Sequence, residues 1–258
     1  MQTRIFIAAL GLLLTTSAQD WNQWRGPNRD GYVPKSPALI NALPDDGIAP
    51  LWMSEDRFPT GGGGGWSSPV VAGDRVYLFA HTKSRREGVT LPEEKFPRLD
   101  DEQRDKLSPA ERDAYEESRR QEQKQRSEKQ YQHLETLACF QAESGEQVWS
   151  SEFESRKTRF AQSASPAVFD GVVYVNGARG MVRAVDAANG KAIWETQLPG
   201  EFDDEAHPAS VAAAEGVVIV IAGRLFGMDA STGKVRWQGE DEINGDASPA
   251  IWKHEGES

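Results

Sequence analysis

Short apolar runs alternate with polar turns through most of the chain after residue 66. The runs are rich in Val, Ile, Tyr and Phe, and Asp-Gly or Gly-Asp separates several of them at hairpin spacing. This pattern predicts β-strands joined by tight turns. The opening of such a unit occurs four times, at residues 67–79, 165–175, 209–221 and 247–252.

An eleven-residue segment recurs at the end of three of these units. Residues 139–149, 184–194 and 227–237 align with Gly and Trp in register, and their tryptophans are 45 and 43 residues apart. A unit of about 40–45 residues with four strands has the length of a β-propeller blade. The sequence therefore predicts an all-β protein, a β-propeller of four-stranded antiparallel blades. It predicts about three blades and the start of a fourth, in an incomplete ring.

Each repeated position of this segment has a structural interpretation. Asp186 and Asp229 are expected to accept hydrogen bonds from backbone N–H groups within the hairpin loop. Gly190 is expected to be the residue of that loop with a left-handed backbone conformation. The Trp is placed on the outer strand, where its ring buries roughly 150–250 Å² against the neighbouring blade. A small residue two positions before the Asp lets the ring approach the backbone. The residues predicted to dock the blades are Trp52, Trp149, Ala184, Asp186, Gly190, Trp194, Gly227, Asp229, Gly233 and Trp237.

These residues carry a resemblance to a known family. The pattern A-x-D-x-x-x-G-K-x-x-W resembles the tryptophan-docking motif of the quinoprotein-type, or PQQ-like, β-propellers. Residues 21–31, W-N-Q-W-R-G-P-N-R-D-G, are similar to the start of secreted PQQ-like repeat proteins. The resemblance covers most of residues 21–258 and implies the propeller fold. It leaves function open, because the family contains both dehydrogenases and cofactor-free scaffolds.

One segment interrupts the repeat inside the first blade, at about residues 82–134. Ser108, Pro109 and Glu111 have the order of a helix N-terminus, and Glu116–Arg120 and Glu122–Arg126 are spaced as i,i+4 ion pairs. We therefore expect a charged helix or helical hairpin that projects into water. A solvated, partly disordered loop and a partner-docking arm are both open interpretations, and the absence of an apolar stripe favours the first.

The two ends of the chain carry further expectations. Arg4, the apolar residues 5–14 and the small residues 15–18 predict a secretory signal peptide cleaved near Ala18. The expected organisation is a signal peptide at 1–18, an extended segment at 19–50 and propeller repeats at 51–258. Residues 50–52 resemble an isolated last strand, so we expect the first part of a longer propeller. Its unclosed edge would promote self-association.

Composition narrows the function classes. The net charge of −11 argues against binding to nucleic acid, and no segment after the leader is apolar enough to span a membrane. The single cysteine, Cys139, is interpreted as a small buried strand residue and not as a nucleophile. His81, His133, His207 and His254 form no metal-binding motif, and no metal site is expected. The acidic residues 203–205 are expected to be solvated.

Two functions remain. The first is a non-catalytic PQQ-like propeller that acts as a periplasmic or secreted scaffold for binding or assembly, with protein partners, no catalytic residues and no cofactor. The second is a quinone-dependent alcohol or sugar dehydrogenase that uses PQQ with Ca²⁺. Alcohol-oxidising members of the family carry adjacent cysteines, and this chain has one cysteine, which weakens the second interpretation.

Overall fold

The structure is a computed structural model of the 258-residue chain. It describes residues 20–33, 36, 38, 40–54, 65, 67–158, 164–202, 209–240 and 247–252. The predicted signal peptide at 1–18 lies outside these residues, as do His207, His254 and the acidic residues 203–205.

The described chain folds into three four-stranded antiparallel sheets, each ordered as a meander. The first contains β1 (Val70–Ala72), β2 (Arg75–Arg85), β3 (Tyr131–Gln141) and β4 (Gln147–Ser155). The second contains β5 (Ala167–Phe169), β6 (Val172–Asn176), β7 (Met181–Asp186) and β8 (Ala192–Gln197). The third contains β9 (Ala212–Ala214), β10 (Val217–Ile221), β11 (Leu225–Asp229) and β12 (Val235–Gln238). The predicted all-β architecture of four-stranded sheets is confirmed, in an open arrangement.

The hairpin turns follow from residues that tolerate positive φ. Asp170 and Gly171 join β5 to β6 with φ of 48° and 75°, and Glu215 and Gly216 join β9 to β10 with 49° and 73°. Two consecutive left-handed residues match the type I′ turn, whose twist suits a two-residue hairpin. The Asp-Gly signal in the sequence therefore marks a real hairpin.

Two apolar layers hold the sheets together. Side chains alternate between the two faces of a strand, so the middle sheet supplies both layers. Tyr174 and Val182 pack toward the third sheet, whereas Val173, Val175 and Val185 pack toward the first.

The segment before the first sheet connects the first strands of all three sheets. Trp21 forms two backbone hydrogen bonds with Val71, of 2.8 and 2.9 Å, and Asn22 bonds the backbone of Val168. Arg29, which is buried, donates to the carbonyl of Val211 at 2.6 Å. This segment was expected to be extended, but residues 23–31 form successive turns, because Arg25, Gly26, Arg29 and Gly31 all have positive φ.

Hydrogen bonds between serines connect the starts of the successive repeat units. These serines are Ser68, Ser165, Ser210 and Ser248. The backbone N–H of Ser68 donates to the hydroxyl of Ser165 at 2.9 Å. Ser165 donates in the same way to Ser210 at 3.0 Å, and Ser210 to Ser248 at 3.1 Å. The fourth opening, at 247–252, thus continues the array at the same hydrogen-bonding position.

The insertion lies between β2 and β3 and contains helices α1 (Asp101–Asp105) and α2 (Pro109–Gln130). Ser108 caps α2 in a capping box with Glu111, as its sequence predicts. The boundaries differ from the predicted 82–134, because strands β2 and β3 pair as far as Arg85 and Tyr131. Glu116 pairs with Arg119 at i,i+3 instead of with Arg120, and no residue of α2 is buried. Within the described ranges, no helix is long and apolar enough to cross a membrane.

Candidate functional site

Three indole rings each reach the hairpin loop of the sheet that follows. Trp149 on β4 donates from Nε1 to the carbonyl of Ala187 at 3.0 Å, and Trp194 on β8 donates to Ala230 at 2.9 Å. Trp52 makes the equivalent bond to Ala142 of the first sheet at 2.8 Å. The residue three positions before each loop glycine therefore accepts the indole N–H every time.

The loop glycines lie directly beneath these rings. A Cβ built on Gly190 would lie 2.6 Å from Trp149, and one built on Gly233 would lie 2.6 Å from Trp194. Gly145 is covered by Trp52 in the same way. These glycines have φ of +70° to +74°, so glycine meets two requirements at once: a left-handed backbone and room for an aromatic ring.

The other positions of the repeated segment have the contacts that its pattern suggests. Asp186 accepts the backbone N–H of Ala188 at 2.8 Å, and Asp229 accepts that of Thr232 at 2.9 Å. Hydrogen bonds from the Ser231 hydroxyl, and then from Arg236 and Thr232, lower the pKa of Asp229. The small residues face the rings across the ladder: Cys139 opposite Trp149, Ala184 opposite Trp194 and Gly227 opposite Trp237.

The first and last of these tryptophans differ from the two between them. Residues 50–52 resembled an isolated strand, but the structure has no strand there, and Trp52 contacts the first sheet through its ring alone. Trp237 is 44% exposed, and its indole N–H has no hydrogen bond to the residues that the structure describes. Cys139 is buried as expected, and burial raises the pKa of its thiol to about 11, which leaves it unreactive at neutral pH.

A buried ion pair lies between the first two sheets, near the insertion. Arg183 donates to Glu135 at 2.5 Å, with both side chains almost fully buried. Glu135 also accepts the backbone N–H of Ala178 at 2.5 Å, and Arg183 reaches Glu195 at 2.8 Å. Gly177 lies against the Glu135 carboxylate, which a Cβ there would contact. These multiple partners compensate the cost of burying both charges.

Two histidines stack beside this ion pair. The rings of His81 and His133 have centroids 5.2 Å apart and planes inclined by 23°, and both residues are buried. Burial lowers the pKa of His81. Burial, followed by the neighbouring His81, lowers the pKa of His133 to about 4. Both rings are therefore neutral at pH 7, and no sequence motif indicated that they meet.

The insertion and the blades enclose an open cleft of about 1010 Å³, called here the basic cleft. Arg119, Arg120, Lys124 and Arg126 of α2 form one wall, and Lys83, Lys157 and Arg179 form the other. Glu94 and Glu128 are the acidic residues among the described lining, so the described lining carries a net charge of +5 in a chain of net charge −11. Tyr131 and Phe202 contribute aromatic surface.

Sequence reasoning missed this cleft because the insertion is nearly neutral as a whole. A signal was nevertheless present in the strands. On one face of β2 the residues change from Tyr77 and Phe79 to the buried His81 and then to the exposed Lys83, and the buried Glu135 follows the same trend in β3. Polar residues at alternating positions of a buried strand indicate a polar region between the sheets.

The residues that the structure describes do not supply a Ca²⁺ site of the kind that the dehydrogenase interpretation needs. No three His, Cys, Asp or Glu side chains of the described ranges converge on one point, whereas Ca²⁺ takes six to eight oxygen ligands.

Comparison with known proteins gives two kinds of relatives. The chain matches the family described as outer membrane protein assembly factor BamB over residues 133–253. A 1-butanol dehydrogenase (cytochrome c) of Thauera butanivorans is 36% identical over 107 residues, which cover 38% of this chain and 15% of the relative. The assembly factor BamB of Bordetella pertussis is 36% identical over 76 residues, or 29% of this chain and 20% of the relative.

A solved structure, BamB of Moraxella catarrhalis, has a TM-score of 0.37 at 18% identity and covers 48% of this chain and 38% of that chain. The chain spans only 15–20% of the two curated relatives named above. Its registered repeats, its four-stranded antiparallel sheets and the match over residues 133–253 support the resemblance to PQQ-like β-propeller repeats.

Proposed function

We propose that this chain is a non-catalytic binding scaffold that works in the periplasm or after secretion. The observation that carries the proposal is the basic cleft, an open, charged groove built mainly from residues that the repeat does not need. The recurrent Trp, Gly and Asp residues are already engaged in contacts between and within the sheets. This open surface, formed in large part by the insertion, is therefore suited to recognition and not to enclosing a small substrate.

The relatives support a scaffold without deciding its partner. One of them is named as an outer membrane protein assembly factor. Open grooves on propellers and other rigid β-scaffolds are common places for binding residues, because loops and insertions vary while the sheets stay fixed. The periplasmic or secreted location is part of this proposal, and it rests on the predicted signal peptide at residues 1–18.

A second candidate is a quinone-dependent alcohol dehydrogenase. The observation that favours it is the similarity to dehydrogenases, such as the 1-butanol dehydrogenase with 36% identity over 107 residues. In that case PQQ with Ca²⁺ would supply the redox chemistry. The described residues contribute sheets and loop contacts to such a protein, with no assigned catalytic side chain.

Two parallel measurements separate these functions. A photo-reactive amino acid at position 120, in the basic cleft, and another at the exposed Lys191 as a control are used for cross-linking in intact cells. The scaffold predicts a discrete protein adduct from position 120 alone. Purified protein is also incubated with PQQ and Ca²⁺ and assayed for dye reduction by alcohols and sugars. Turnover in that assay would contradict the scaffold.

A further inference from the structure

We propose that the basic cleft binds an extended acidic segment of a protein partner. The inference rests on the proposed binding function and names the chemistry of the partner. It is carried by the placement of cations on two facing walls, by their incomplete neutralisation and by the shape of the space between them.

The two walls come from different parts of the chain. Arg120 and Lys124 are one helical turn apart on α2 and so present their charges on one face. Lys83 lies on β2 of the first sheet, and Arg179 lies in the turn between β6 and β7 of the second sheet. Because the walls face each other, an anionic chain lying between them would meet positive charge on both sides.

Several of these charges lack a strong acidic partner. Lys124 makes no ion pair with the described residues, and Lys83 lies over the ring of Tyr131 at 4.0 Å. Arg179 donates from Nε and Nη2 to the carbonyl of Lys157, at 3.1 and 2.9 Å, and forms no ion pair within the described part of the chain. Arg120 has one exposed pairing with Glu117 at 3.6 Å, which is worth little in water.

The spread of these cations favours a peptide over a single small anion. A phosphate or sulfate ion is held by donors that converge on one point, whereas these donors line a groove of about 1010 Å³. Carboxylates spaced along an extended chain can each meet one guanidinium or ammonium group. Tyr131, Phe202 and Leu91 offer apolar contact to the stems of such a chain.

Two other polyanions fit less well. A long nucleic acid would extend beyond the cleft over the rest of a chain whose net charge is −11, which would repel it. A flat bilayer contacts convex or planar surfaces, whereas these cations are distributed around an open cleft between α2 and the sheets. An acidic peptide is short and flexible enough to enter the groove.

The test uses the full chain and a labelled peptide of about twelve residues that alternates Glu and Gly, which spans about 40 Å when extended. A peptide with Gln in place of Glu has the same length without the charge. The charge-reversal variant Arg120→Glu/Lys124→Glu alters the cleft. The matched control Lys191→Glu/Lys234→Glu changes the net charge equally at exposed loop positions.

We expect fluorescence anisotropy to show binding of the Glu peptide and not of the Gln peptide, weakened by added salt. The cleft variant should bind about tenfold more weakly or worse, because two attractive charges become repulsive, whereas the control should stay within about twofold. Equal weakening in both variants, or no preference for Glu over Gln, would overturn the inference. Binding to vesicles that contain acidic lipids, lost in the cleft variant and without peptide binding, would reassign the cleft to a membrane surface.

The outcomes separate this inference from the proposed function. If cross-linking from position 120 captures a discrete protein while the Glu peptide does not bind, the proposal of an acidic partner segment is wrong and the proposed scaffold function is supported. If the peptide binds as expected while PQQ and Ca²⁺ give turnover, the cleft assignment stands and the non-catalytic function is wrong.

Discussion

The loop glycines illustrate how one residue joins backbone conformation to packing between sheets. Gly190 and Gly171 have nearly the same φ, +74° and +75°. Gly171 faces open space, whereas a Cβ at Gly190 would meet Trp149 and Ser151 at 2.6 Å. The difference between these two glycines therefore isolates the contribution of the ring contact from that of the turn.

Gly190→Ala is expected to destabilise the fold more than Gly171→Ala. The left-handed conformation costs both variants about 1 kcal/mol, and only Gly190→Ala displaces an indole, which adds roughly 1–3 kcal/mol. Urea unfolding of both variants gives the two free energies. Equal losses would mean that the ring does not pack on the loop as the structure has it.

The element that separates this chain from a plain repeat is helix α2. Its N-terminus has two reciprocal hydrogen bonds, since Ser108 accepts from the backbone of Glu111 and the Glu111 carboxylate accepts from Ser108. Hydrogen bonds to the carboxylate from the Ser108 hydroxyl, and then from the Ser108 backbone N–H, lower the pKa of Glu111. Because α2 buries no residue, its stability depends on such local bonds more than on packing.

Ser108→Ala should fray the first turn of α2, at a cost of about 1 kcal/mol. Hydrogen exchange of the amides at residues 110–113 should speed up, while strands β5–β8 keep their protection. Ser118→Ala, in the middle of the same helix, makes the same chemical change without removing a cap and should leave exchange in the first turn unchanged. Faster exchange in β5–β8 of the Ser108 variant would show that helix α2 and the sheets unfold together.

At the scale of the whole molecule, the features that could be predicted from the sequence are those that depend on a few neighbouring residues. The Trp, Asp and Gly of the repeat, the Asp-Gly hairpin and the helix start at Ser108 are of this kind, because each acts within a few residues. The basic cleft is not, since Lys124 and Arg179 are distant in sequence and meet only after the sheets pack. The pairing of His81 with His133 across the first sheet depends in the same way on strands separated by the insertion.

The histidine pair predicts how the stability of the whole molecule depends on pH. A buried base with a lowered pKa binds protons more weakly in the folded state than in the unfolded state, where its pKa is near 6.5. Stability is therefore full above that value and is lost as the pH falls from about 6.5 toward the His133 pKa of about 4. Glu135, Lys83, Lys157 and Arg179 are the charged neighbours that act on the pair.

Between pH 7 and pH 5 the chain should lose roughly 1 kcal/mol or more through His133. His133→Phe keeps an aromatic ring against His81 and removes the titrating group, so its unfolding free energy should fall less over the same interval. Parallel urea titrations at the two pH values measure the difference. A variant that loses as much stability as the parent would show that other groups cause the acid sensitivity.

The central claim is that indole rings dock successive sheets by reaching the next hairpin loop. Hydrogen exchange of the individual indole Nε1–H groups, resolved by NMR and assigned with Trp→Phe variants, tests it most directly. The account predicts slow exchange for Trp52, Trp149 and Trp194, which donate to loop carbonyls at 2.8–3.0 Å, and fast exchange for the half-exposed Trp237. Fast exchange at all four, or protection of Trp237 equal to that of the others, would contradict it.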